Sequence, residues 1–172
     1  MGARFIVTMS AADAVTLAAS ALKKARFAPA QRDISAKVAA QGSGWIARAL
    51  SIGRPSRRGG SLGIDGEFFP LNLIPLFWPR VAATLAIVCT RPTDAGTELV
   101  LFAHPSMLHA GERTNDSRPL VANAYADLSR RFAASGSLLS HEPLADVAAL
   151  SARVDETCPA SDAFVRRELG WS

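Results

Sequence analysis

A chain of 172 residues, 49% apolar and 20% charged, has the size of one domain and a composition that reads as globular rather than disordered. Its formal net charge of +4 is modest, so charge alone does not define a nucleic-acid protein. Two cysteines far apart along the chain are poor evidence for a disulfide framework, and both read as thiols in a reducing cytoplasm.

Residues 4–9 alternate as a strand, with Phe5, Val7 and Met9 on one face. Arg4 ahead of this run loosely imitates a secretion signal, but the alternation and Asp13 argue against one. Ser10 stands as the cap of a helix, with Asp13 at the capping-box position and Val15, Ala18, Ala19 and Leu22 as its apolar stripe. Lys23, Lys24 and Arg26 suit the negative end of its dipole, and Pro29 is expected to close it. Residues 32–40 alternate again, placing Ile34, Ala36, Val38 and Ala40 on one side, and predict a second strand broken by Gly42-Ser43-Gly44. Residues 45–52 fit a short helix or a strand equally well.

From Ile34 to Ile64 there is no Asp or Glu, while Lys37, Arg48, Arg54, Arg57 and Arg58 make the stretch basic. Residues 54–60, Arg-Pro-Ser-Arg-Arg-Gly-Gly, read as a loop. Phe68, Phe69, Phe77 and Trp78 then fall among Pro70, Pro75 and Pro79, whose missing N–H groups exclude a central strand. Guanidinium groups bind phosphates bidentately, and exposed aromatics beside them suit an anion with an apolar body. Arg54, Arg57, Arg58, Trp45, Phe68, Phe69, Phe77 and Trp78 are therefore the candidate binding face. The plainer alternative is a solvated arginine loop and an aromatic run folded back as core.

Residues 81–89 are the clearest strand, with Leu85, Ile87 and Cys89 on one face. Residues 97–104 return antiparallel, setting Leu99, Leu101 and Ala103 opposite Glu98, Val100, Phe102 and His104. After a loop at 105–115, Asp116 or Ser117 caps a long helix with Pro119 in its first turn. Val121, Ala124, Tyr125, Leu128 and Phe132 form its stripe, and Gly136 ends it. Residues 143–154 read as a further helix through Leu144, Val147, Leu150 and Val154, and Ser161 caps a last short one.

The expected fold is α+β. An antiparallel sheet of four or five strands, in the order β-α-β-β-β-β-α, carries its helices on one face over residues 1–139, and residues 140–172 form a helical appendage on the same domain. This order resembles the helix-grip and TATA-binding-protein-like class, in which a curved antiparallel sheet wraps a long helix. The resemblance covers residues 4–136, rests on element order and implies no site.

The motifs are weak. Gly59-Gly60-Ser61-Leu62-Gly63 matches a nucleophile elbow, but the chain is too short for the parallel sheet that motif needs, so a glycine loop is the better reading. His104, His109, Glu112 and Asp116 lie close in sequence without standard ligand spacing, so His104 and His109 are weak metal candidates and no metal or cofactor is assigned. Gly42-Ser43-Gly44 with Arg48 lacks the lysine and hydroxyl of a phosphate loop and leaves only an anion nest, if a helix follows. The function favoured is a non-enzymatic binding module for an amphipathic or anionic partner: a lipid surface, a hydrophobic ligand or a protein. Nucleic acid bound by the block 34–64 comes second, and an enzyme built on Ser61, His104 or Glu67 third. The expected location is the cytoplasm or the periphery of a membrane, and a homo-oligomer is compatible with the sequence.

Overall fold

The computed structural model describes residues 1–30, 33–52, 84–105 and 117–170. Its centre is a six-stranded antiparallel sheet in the order β2-β3-β4-β5-β1-β6, one or two strands more than expected. The strands are β1 (Gly2–Val7), β2 (Ala28–Pro29), β3 (Ile46–Ile52), β4 (Thr84–Thr93), β5 (Gly96–Pro105) and β6 (Leu138–Leu144). The helices are α1 (Ala11–Lys24), α2 (Ser35–Ala40), α3 (Arg118–Ala134), α4 (Val147–Ser151) and α5 (Asp162–Phe164), the last continuing as a π-turn over Val165–Leu169.

β4 and β5 form the hairpin expected from their alternation, paired from Thr84↔Pro105 to Thr93↔Gly96. Asp94 and Ala95 make the two-residue turn. Gly96 has φ +137°, and a Cβ there would stand 2.6 Å from the Val7 carbonyl oxygen, so only glycine closes this turn beside β1.

Both faces of the sheet are covered, not one. On the first face Phe5, Val7, Leu50, Val88, Leu99 and Leu101 pack with Val15, Ala18 and Leu22 of α1 and Val121, Leu128 and Phe132 of α3. On the second, Ala47, Leu85, Ile87, Val100 and Phe102 pack with Ile34 and Val38 and with Leu150, Cys158, Phe164 and Val165 of the C-terminal segment. A strand buried on both faces is apolar along its whole length, and Thr84 to Thr90 of β4 are buried without a break.

α1 starts as expected: the Ser10 hydroxyl accepts the Asp13 N–H at 3.2 Å. It ends earlier than expected, at Lys24. Arg26 N–H donates to the Lys23 carbonyl and Phe27 N–H to the Leu22 carbonyl, a Schellman closure with Arg26 in the left-handed region at φ 72°. Pro29 lies in β2 instead.

Residues 35–40, expected to be extended, form helix α2. Ile34 and Val38 are one helical turn apart and both fully buried. Asp33 accepts the Ser35 N–H at 2.9 Å and its hydroxyl at 2.8 Å, fixing the turn that leads in. Gly42 and Gly44, at φ +63° and +74°, reverse the chain into β3, which settles residues 46–52 as strand. The helix expected over 143–154 is shorter: β6 occupies Leu138–Leu144, pairs with β1 and crosses the division drawn at 139/140. Asp146 then caps α4 by accepting the Ala149 N–H at 2.8 Å. No helix among the described residues is long and apolar enough to cross a membrane.

Candidate anion-binding groove

Thr16, Ala19, Ser20 and Lys23 recur at helical spacing and so share one face of α1. Across from them, Arg48 and Leu50 of β3 point to the same side of the sheet. β2 is only two residues long and ends in a proline, so the sheet edge beside β3 stops short. The space between α1, β2 and β3 is a cavity of about 430 Å³, within the range of small-ligand sites. Leu50 and Ala19 give it an apolar floor, and Lys23, Arg48, Asp33 and Ser20 supply polar groups.

Its electrostatics lean positive. Neither Lys23 nor Arg48 is in an ion pair among the described residues. Asp33 is occupied with Ser35, whose backbone and side-chain hydrogen bonds hold its carboxyl below the usual range, with Arg48 adding a smaller pull. A ligand anion entering the groove would meet two cations and one carboxylate already engaged by Ser35, over aliphatic surface.

A second cavity of about 440 Å³ lies at the end of the sheet, lined by Thr84, Phe102, Ala103, Ser117, Val121 and Asp146 among others.

Most of the residues singled out in the sequence lie outside the described residues: Arg54, Arg57, Arg58, Phe68, Phe69, Phe77 and Trp78, with Ser61, Glu67, His109, Glu112 and Asp116. Trp45 is described and is 3% exposed, a core residue of the second face. The Arg91 guanidinium lies 4.4 Å from its ring centroid, a cation–π contact. Arg91 also donates to Glu98 at 2.8 Å and Asp155 at 2.9 Å, while Arg4 holds the other Glu98 oxygen at 2.6 Å. Glu98 is 1% exposed, so its charge is buried but doubly paired.

His104 is 5% exposed, and its Nε2 lies 3.0 Å from the Ala160 carbonyl oxygen. A carbonyl only accepts, so Nε2 carries the proton and donates. Burial pushes the imidazole pKa down to about 4, against a smaller upward pull from that hydrogen bond. Among the described residues no group of three His, Cys, Asp or Glu side chains is arranged to hold a metal. Gly42-Ser43-Gly44 runs into a strand, so the anion nest at a helix start does not form there. Among the described residues, Ser43 Oγ and Trp45 Nε1 are buried without hydrogen-bond partners.

Comparison with family models, with curated proteins and with solved structures found no match.

Proposed function

We propose that this protein is a binding module for a small amphipathic anion, such as an organic phosphate or carboxylate with an aliphatic body, held in the groove between α1 and β3. The observation that carries this reading is the pair Lys23 and Arg48, two cations from different elements lining one groove against a single carboxylate, Asp33, that is already hydrogen-bonded to Ser35. A guanidinium grips a phosphate or carboxylate by parallel hydrogen bonds, and the lysine adds a movable point charge. The aliphatic floor contributes area rather than direction.

Nucleic acid fits less well. Lys37 and Arg48 are the described members of the basic block, and they do not converge. Lys37 belongs to α2, which packs on the second face, and it binds Glu168 at 3.0 Å, while Arg48 faces α1. Cytoplasmic residence and the helix-grip likeness belong to the same proposal.

The test is isothermal titration with a series of alkyl phosphates and the alcohols of equal chain length. The phosphates should bind, the alcohols at least about tenfold more weakly, and Arg48→Ala and Lys23→Ala should each weaken phosphate binding by about tenfold. Equal affinity in the parent and both variants, or none at millimolar concentration, sinks the proposal.

A further inference from the structure

Cys89 and Cys158 are separated by 69 positions, yet their sulfur atoms stand 3.6 Å apart in the second core. Their separation along the chain gives no sign of this contact. Cys89 lies on β4, an interior strand, and Cys158 lies in the turn between α4 and α5. Both thiols are free and buried.

The turn is registered on the strand by more than this contact. Asp155 accepts the Arg91 guanidinium at 2.9 Å, and Arg91 is two residues along β4 from Cys89, on the same face. Asp155 also accepts from the Thr157 N–H at 2.9 Å, and the Cys158 N–H donates to its carbonyl at 3.1 Å. The sulfurs are thus brought together by a built turn anchored one step away. A disulfide needs them about 1.5 Å closer.

We propose that Cys89 and Cys158 form a dithiol–disulfide pair, oxidised by a small-molecule disulfide of the glutathione class, which fastens the C-terminal segment to the middle of the sheet. One protein thiolate attacks the small disulfide, forming a mixed disulfide and releasing one small thiol. The second protein thiolate attacks the mixed disulfide, closes the Cys89–Cys158 bond and releases the second small thiol. Two protons and two electrons leave the protein, and the oxidant becomes two thiols. Burial raises the Cys89 thiol well above its usual pKa, so the first attack requires the turn to lift and expose a sulfur.

The experiment equilibrates the full chain in glutathione redox buffers, quenches with acid, alkylates and weighs the intact protein. Expected are a mass lower by two hydrogens without a glutathione adduct, and a crosslinked peptide joining Cys89 to Cys158. The equilibrium constant for closure should be at least about tenfold larger in the folded chain than in concentrated guanidinium, because the fold pre-pays the loop closure. The oxidised form should melt roughly 5 °C higher. Cys158→Ser should take up at most one glutathione and never lose two hydrogens. Asp155→Asn, which keeps both thiols, should lower the folded-state constant several-fold. Two alkylatable thiols at every buffer ratio, mixed disulfides alone, covalent dimers alone, or a folded constant equal to the unfolded one would each overturn the proposal. An Asp155→Asn protein indistinguishable from the parent would overturn the role given to the turn.

Discussion

His104 shows how one side chain sets a pH limit on the fold. Its imidazole is neutral in the folded protein, with a pKa lowered to about 4 chiefly by burial, against an ordinary value of 6.5. Between those values the unfolded chain binds more protons than the folded one. Stability is therefore fully present above about pH 6.5 and is lost as the pH falls toward 4. The difference amounts to about 3 kcal/mol for this group. Urea unfolding at a series of pH values should show that decline, and His104→Gln, whose amide can donate to the Ala160 carbonyl, should flatten it. The sequence singled out His104 as a weak metal ligand. What it hid was the carbonyl 56 positions away that takes the ring nitrogen, a tertiary fact with no local signature. Arg48 was visible as an anion candidate, but for a phosphate nest that does not form. Lys23 was assigned only to the helix dipole, because nothing local says that β3 faces it.

At the scale of elements, α1 carries a testable imperfection. Its C-terminal closure places Arg26 at φ 72°, where a Cβ crowds the backbone and glycine does not. Arg26→Gly should stabilise the protein by about 0.5–1 kcal/mol, after allowing for the greater freedom of glycine in the unfolded chain. Denaturant midpoints of the two proteins check it, and a lower midpoint for the glycine variant would contradict the reading. Elements with strong, unambiguous periods were legible: the Ser10 cap, the β4–β5 hairpin and the stripe of α3 all appear where the residues place them. α2 was not, because Ile34 and Val38 satisfy both a strand period and one helical turn, and Ala36 between them does not decide. β6 was not, because an edge strand reading Leu-Leu-Ser-His-Glu-Pro-Leu is largely exposed and its Pro143 resembles a helix start.

For the whole molecule, covering both faces of the sheet gives the C-terminal segment a structural task. Its carboxylates pair within the same chain: Glu168 with Lys37 at 3.0 Å and Asp155 with Arg91 at 2.9 Å. Its apolar residues Leu150, Phe164 and Val165 complete the second core. These ion pairs are partly exposed, so burial rather than charge accounts for most of the attachment. Hydrogen exchange should find the slowest amides in β4 and β5, which are paired on both sides, and faster exchange in β6 and in α4, at the edge and surface. Equal protection of β6 and β4 would refute that ordering.

The position of β1 has a consequence for how the chain is made. It is synthesised before the other strands, yet its neighbours in the sheet are β5 and β6, beginning with Gly2 opposite Phe102. At about 5–20 residues per second, a ribosome delivers that partner several seconds or more after β1 has emerged. During that interval Phe5 and Val7 have no sheet to join, and the nascent chain must keep an apolar strand unpaired while α1 and β3 are still being added.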